Sequence, residues 1–207
     1  MRGIDISHWQ NDKGVIDFAK VKKAGYSFVI IKAGGYEKTK YIDPCFYDNY
    51  NKARLAGLHV GAYYFVGKNF VNKNFAQECA EHFHSIIKGL QFDMPIALDI
   101  ETTSILKKRQ ATESCILFCE YMENNGYYIS IYSADLGGFR DRLYRDMLTA
   151  YDKWVARYGK TPSYITTWGM WQKSSKGRVD GITGYVDIDI ASLNYPKLIT
   201  SKHFNNY

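Results

Sequence analysis

Two carboxylic acids lie two residues apart in the segment 95–101, whose sequence is PIALDIE. Side chains alternate across a β-strand, so Asp99 and Glu101 share one face and the aliphatic residues take the other. In parallel α/β folds, the carboxyl ends of the strands surround the active site. The pattern therefore predicts a catalytic carboxyl pair, because neighbouring carboxylates raise one another's pKa and keep one group protonated.

The same alternation recurs near both ends of the chain. Asp5 lies on a segment near the N-terminus, and Asp187 and Asp189 lie on a segment near residue 190. If the first and last strands are neighbours in a closed barrel, these acids converge with the first pair. A protonated carboxyl beside an ionised one can cleave a glycosidic bond. The competing interpretation of the acids is a Mg²⁺ or Ca²⁺ site, and Asp5 alone could equally be a cap or a surface charge.

Aromatic residues end several of the predicted strands near the same rim. The chain has 18 Tyr and 16% aromatic residues, and rings of this kind stack on sugar faces while their polar tips bind hydroxyls. Each ring alone is more often part of a core, but together they predict a sugar-binding groove. The aromatic residues expected at this rim are Trp9, Tyr63, Tyr64, Phe65, Tyr132, Tyr158, Trp168 and Trp171.

The 207 residues alternate between short apolar runs and helical patterns. Strands are predicted at 3–7, 26–33, 59–65, 95–101, 127–133, 153–158, 167–172 and 186–191. Helices are predicted near 15–24, 43–57, 74–88 and 112–124. This alternation indicates a mostly parallel sheet, and eight strands can close into a barrel. The last three strands leave no room for full helices, so the barrel should be irregular, and no linker divides it into domains.

The net charge of +6, from 27 Lys and Arg against 21 Asp and Glu, favours an anionic partner such as a bacterial wall. No nucleic acid is expected as a partner, because the longest basic cluster, at 107–109, has no interleaved aromatic residues. No apolar run suits membrane insertion, and the N-terminus lacks the apolar core of a signal peptide. We therefore expect either release by another route, such as passage through a membrane pore, or a domain of a longer secreted protein.

Seven motifs together make the chain resemble the glycoside hydrolase family 25 lysozymes, the Chalaropsis-type muramidases of phage endolysins and autolysins. In chain order they are GIDISHWQ, GLHVGAYYF, ALDIE, GYYISIYS, KWVARYG, MWQ and GITGYVDID, and they extend from about residue 3 to residue 191. The resemblance implies a single-domain α/β fold, an irregular, flattened TIM-like (β/α)5β3 barrel. We expect this catalytic barrel over 1–195 and a short C-terminal tail over 196–207.

The resemblance also implies an activity, the hydrolysis of the β-1,4 bond between N-acetylmuramic acid and N-acetylglucosamine in peptidoglycan. The protein would then act on the extracellular side of the bacterial cell wall, without a cofactor or a metal. Three alternatives remain open: a barrel that binds wall glycan without cutting it, a metal-dependent esterase or deacetylase, and a nucleic-acid binder.

In the resemblance, Glu101 matches the proton donor and Asp99 its partner carboxylate, while Asp5 and Asp187 match two further acids. The predicted substrate-binding residues are Tyr63, Phe65, Tyr132, Trp154, Tyr158, Trp171, Gln172 and Asp189. The chain departs from the family pattern in two places. Residues 32–36 have the sequence KAGGY where many relatives have a KATEG-type segment, and Tyr64 stands where a histidine is common.

Overall fold

A computed structural model describes residues 1–207. The strands are β1 (Arg2–Ile6), β2 (Phe28–Tyr36), β3 (Lys40–Ile42), β4 (His59–Val66), β5 (Ile96–Ile100), β6 (Ile129–Ala134), β7 (Asp152–Ala156), β8 (Met170–Gly177) and β9 (Val186–Ala191). The α-helices are α1 (His8–Asn11), α2 (Phe18–Lys23), α3 (Phe46–Leu55), α4 (Lys73–Ile87), α5 (Lys108–Asn124) and α6 (Tyr195–Ser201). None of the helices is long and apolar enough to cross a membrane.

Eight of the strands close into a barrel in the order β1, β2, β4, β5, β6, β7, β8 and β9. Neighbours from β1 to β8 run parallel, whereas β9 is antiparallel to both β8 and β1. The predicted irregular barrel is therefore confirmed, with all eight predicted strands in it. The ninth strand, β3, was not predicted; it pairs with the far end of β2 outside the barrel.

Alternating side chains divide the apolar residues into two cores. On β5, Ile96, Leu98 and Ile100 point outward and pack with the helices, while Ala97 belongs to the core inside the barrel. Phe28 closes the lower part of that interior, and it fits because Gly3 lies opposite. A Cβ on Gly3 would come within 2.3 Å of the Phe28 ring. The interior of the barrel is thus apolar at the lower end and polar at the mouth, which is formed by the carboxyl ends of the parallel strands and the amino end of β9.

The two halves of the barrel are connected differently. Full helices α2 to α5 connect the strands from β1 to β6, as the sequence patterns predicted. Between β6 and β7 there are only a π-helical turn at Asp135–Arg140 and a 3-10 turn at Arg145–Met147, and residues 157–169 join the parallel strands β7 and β8 without a helix. The second half of the rim is therefore built from loops.

The C-terminal segment 196–207, expected as a short tail, packs against the bottom of the barrel. It contains most of α6, and Asn205 is fully buried. The Asn205 amide donates to the carbonyl oxygens of Phe92 and Met94 at 3.1 Å each, and its oxygen accepts from the Tyr128 N–H at 2.8 Å. The segment is thus part of the barrel's packed structure.

Candidate active site

The carboxyl end of β5 brings two acids into the mouth of the barrel. Its outward aliphatic residues anchor the strand against the helices, so Asp99 points inward and Glu101 follows just beyond the last strand residue. Asp99 is enclosed at 5% exposure, whereas Glu101 is partly exposed at the open mouth, with the rest of its side chain shielded by the cavity. The two carboxyl groups lie within hydrogen-bonding range of each other. Glu101 is therefore the member of the pair that can reach a ligand in the open mouth.

A cavity of about 210 Å³ occupies this mouth. Its lining contains the four acids of the predicted site and five of the eight predicted substrate-binding residues. The lining residues are Asp5, Tyr63, Asp99, Glu101, Tyr132, Trp154, Tyr158, Gln172 and Asp187. Asp5 and Asp187 are 182 positions apart in the chain. They meet here because β1 pairs with β9 in a register that places the two residues opposite each other. No group of three or more His, Cys, Asp or Glu residues is arranged to hold a metal ion.

Gln172 on β8 connects three of the lining residues. Its Nε2 donates to Asp5 Oδ2 at 2.7 Å, and its Oε1 accepts from the hydroxyl groups of Tyr132 at 2.8 Å and Tyr158 at 3.1 Å. A neutral amide can satisfy a carboxylate on one side and two hydroxyl donors on the other. Gln172 therefore fixes the orientation of Asp5 and of both tyrosine rings.

Three of the predicted substrate-binding residues do not line the cavity. Asp189 is fully buried, and its Oδ1 accepts from the Trp154 indole N–H at 2.8 Å. Trp171 lies on the opposite face of β8, where its indole donates to the Arg157 carbonyl oxygen at 2.8 Å. Phe65 is half-buried on β4, with the Lys32 ammonium 4.8 Å from its ring centre. A direct role for these residues in binding stays a prediction.

Burial raises the pKa of every acid in the site. For Asp99 the largest cause is burial, followed by the charge of Glu101, and for Glu101 it is burial again. Burial raises the pKa of Asp187 to about 6. Carboxyl groups with raised pKa values stay protonated at a mildly acidic pH at which ordinary aspartates and glutamates are ionised. The cavity can therefore hold a proton donor and a carboxylate at the same time.

Lys32 is a site residue that the motif analysis did not assign. It follows Phe28 and Ile30 on the inward phase of β2, and its charge lowers the pKa of both Asp99 and Glu101. The register between β2 and β4 shifts just after it, between Lys32 and Gly34. A lysine on the inward phase of an otherwise apolar strand was the available signal.

The two departures from the family pattern have structural explanations. Gly34 and Gly35 pair with β3, and a Cβ on Gly35 would lie 2.6 Å from the Tyr41 hydroxyl. The glycines thus make room for Tyr41, whose ring centre is 5.6 Å from the Lys32 ammonium. Tyr64 points away from the mouth, and its hydroxyl contacts His82 Nδ1 at 2.7 Å. Only the first departure changes the rim.

Asp135 was also not predicted, and it organises the loop after β7. It is buried, and its carboxylate accepts from the backbone N–H groups of Ser163 at 2.8 Å and Ile165 at 2.9 Å and from Arg157 Nη1 at 2.6 Å. These bonds, through backbone groups and Arg157, lower the pKa of Asp135 although its burial opposes this. Since Tyr158 follows Arg157 directly, Asp135 fixes the loop that carries one wall of the cavity.

The fold and the acidic mouth define a closed α/β barrel with a carboxyl pair at its open end, and comparison with known proteins identifies the family. The chain belongs to the glycosyl hydrolases family 25, whose family model matches residues 4–182. It is 33% identical over 194 residues to the autolytic lysozyme of Clostridium acetobutylicum, covering 91% of this chain and 55% of that protein. It is 34% identical over 202 residues to lysozyme M1 of Streptomyces globisporus, covering 90% of this chain and 66% of that protein.

A solved structure gives the same answer for the fold. The bacterial lysozyme from Streptomyces coelicolor superposes with a TM-score of 0.81 at 29% identity, covering 98% of each chain. The chain thus spans the whole of that structure, but only about half to two thirds of the length of the two curated relatives.

Proposed function

We propose that this protein hydrolyses the β-1,4 bond between N-acetylmuramic acid and N-acetylglucosamine in bacterial peptidoglycan. The observation that carries the proposal is the Asp99–Glu101 pair at the mouth of a family 25 barrel, inside a cavity that Asp5 and Asp187 also line. The named lysozymes among its relatives support the same activity.

Glu101 supplies the proton in this mechanism. Its position at the open mouth reaches the glycosidic oxygen, and desolvation in the cavity raises the pKa of its carboxyl group, the direction that a proton donor needs. As the proton moves to the oxygen, the bond from that oxygen to the anomeric carbon breaks and the leaving sugar departs as an alcohol. Positive charge then develops on the muramic acid ring, and the ring needs a negative partner.

Asp99 is that partner. Enclosed beside Glu101, it stabilises the developing charge directly or orients the 2-acetamido group of the sugar for attack on the anomeric carbon. Water completes the hydrolysis, and Glu101, now ionised, accepts its proton. Tyr63, Tyr132 and Trp154 supply ring faces in the cavity against which the sugar packs.

The bacterial cell wall is the proposed place of action. Gram-positive walls are anionic, and the net charge of +6 attracts the protein to them over a range that salt shortens. No cofactor takes part in the mechanism.

The test is a digest of purified peptidoglycan, with the products reduced by borohydride and weighed by mass spectrometry. We expect muropeptides that end in reduced muramic acid. Products that end in reduced glucosamine would reverse the bond specificity. Sedimentation with the wall without any cleavage would overturn the hydrolase assignment in favour of a glycan-binding barrel.

A further inference from the structure

Asp189 is enclosed behind the cavity lining, where it contacts two residues that do line it. Its Oδ1 accepts the Trp154 indole N–H, and its carboxyl group is within hydrogen-bonding range of the Asp5 carboxyl. Asp189 Oδ2 is buried and has no N–H or O–H donor from any other side chain or backbone group. Ionised carboxylates can only accept hydrogen bonds, so without a proton between them the two buried groups would face each other as two unpaired acceptors.

Asp5, the other member of the pair, is also buried and also accepts a hydrogen bond from a neutral side chain. It is 6% exposed, and its Oδ2 accepts from Gln172 Nε2 at 2.7 Å. Each carboxyl group thus takes one N–H donor from a neutral side chain, and neither group forms an ion pair with a lysine, arginine or histidine. Two ionised carboxylates in contact would repel strongly in this enclosed setting, whereas one shared proton gives a charge-assisted hydrogen bond.

We propose that Asp5 and Asp189 hold one proton between them at the pH at which the site works, and that Asp189 is a positioning residue for Asp5 and Trp154. The pair then carries a single negative charge toward the cavity. Only the purpose of this arrangement rests on the proposed function; the protonation state does not.

Burial and the surrounding charges agree with a retained proton. Burial raises the pKa of Asp189 to about 7, and burial and then the charges of Asp187 and Asp189 raise that of Asp5 well above its usual range. The charged and titratable groups around the pair come from five strands and from the segments that follow β5 and β7. They are Asp187 on β9, Asp99 on β5, Glu101 just after β5, Tyr63 on β4, Tyr132 on β6, Tyr158 after β7 and Lys32 on β2. Lys32 is a main charge acting on the β5 acids, whereas the main charges acting on Asp5 and Asp189 are carboxylates.

The Trp154 indole N–H reports on the pair directly, because it bonds to Asp189. The protein has four tryptophans, so the indole region of a ¹H–¹⁵N NMR spectrum holds four resonances, and Trp154→Phe identifies the one in question. We expect this resonance to titrate with a midpoint near pH 7 or above and to lose that step in Asp189→Asn. A midpoint near pH 4, the value of an ordinary aspartate, would overturn the proposal.

Activity then tests the positioning role. Asn at 189 offers an N–H to Asp5 and an oxygen to Trp154 without needing a proton, whereas Ala offers neither. We expect Asp189→Asn to keep at least about a third of the wild-type kcat/KM and Asp189→Ala to lose about tenfold or more, the scale of leaving a buried group unpaired. Equal losses in two folded variants would overturn the role. The titration uses no substrate, so it stays decisive even if the protein proves not to cleave glycan.

Discussion

The two sides of the cavity carry similar acids but different neighbours. On the β5 side, the charge of Lys32 lowers the pKa values that burial raises for Asp99 and Glu101. On the β1–β9 side, Asp5 and Asp189 form no ion pair, and the main charges that act on them are those of neighbouring carboxylates. One cavity thus balances its excess negative charge in two ways, with a fixed cation on one side and with retained protons on the other. Substitutions on the two sides should therefore differ in their dependence on pH.

The largest effect is expected from Glu101→Gln on the β5 side. Glutamine keeps the size and polarity of the side chain but cannot donate the proton, so kcat should fall at least about a hundredfold. The release of reducing ends from peptidoglycan measures this loss. The matched control is Glu120→Gln at an exposed position of α5, which should stay near wild type. A folded Glu101→Gln protein with a rate close to wild type would remove Glu101 from the mechanism.

The next effect is expected from Lys32→Met, which makes the β5 side resemble the β1–β9 side. Without the cation the pKa of Asp99 rises, so Asp99 stays protonated to higher pH and cannot support positive charge on the sugar. The acid limb of the kcat/KM profile should move to higher pH, with a loss of about tenfold on that limb for a one-unit shift. Lys32→Arg should keep the wild-type pH profile of kcat/KM, and Lys176→Met on β8 should leave this profile unchanged. An unchanged profile in Lys32→Met would refute the distinction between the two sides.

A smaller effect is expected from Gln172→Leu on the β1–β9 side. The change removes three hydrogen bonds, the one donated to Asp5 and the two accepted from Tyr132 and Tyr158. We therefore expect kcat/KM to fall at least about fivefold, the scale of one net hydrogen bond. Steady-state kinetics on soluble glycan fragments would show it. Gln110→Leu, at an exposed position of α5, is the control. A wild-type rate would mean that Asp5 and the two rings keep their places without this amide.

The smallest effect is a change in stability from Asp187→Asn. Since the folded-state pKa of Asp187 is raised to about 6, the wild-type protein loses stability as the pH rises from about 4 through 6, where the folded acid gives up its proton inside the cavity. An asparagine at this position does not ionise, so the variant does not lose stability over this pH range. The variant should therefore melt a few °C above wild type at pH 7, about 2–4 °C per kcal/mol at this size, and no higher at pH 4. Thermal melts at the two pH values test this, and a pH-independent difference would contradict it.

The sequence predicted the barrel well where strands alternate with helices. In β5 the alternation of aliphatic and acidic residues predicts both the strand and the face that each side chain takes. The two-residue period alone therefore predicted that Asp99 and Glu101 share the inward face. The short strand β3 gave no such signal. Its three residues show no alternation, and it forms because Gly34 and Gly35 let it approach β2.

The residues that escaped prediction act through tertiary contacts. Asp135 lies in the segment DLGGFR, which indicates only a turn, and its function comes from N–H groups almost thirty residues away. Asn205 belongs to a polar segment with no periodicity, and it becomes buried by bonding to two carbonyl groups at the bottom of the barrel. Local patterns cannot indicate which distant backbone groups need a partner.

The pairing of β1 with β9 has a consequence for how the molecule is made. Of the barrel strands, β1 with Asp5 leaves the ribosome before all others and its partner β9 leaves it after all others. The hydrogen bond from Gln172 to Asp5 spans 167 residues. Such distant contacts form late and slowly, because the chain entropy of closing the loop must be overcome first. A nascent chain therefore has no assembled cavity until the ring of strands closes, and the acidic site forms in one step with the completed barrel.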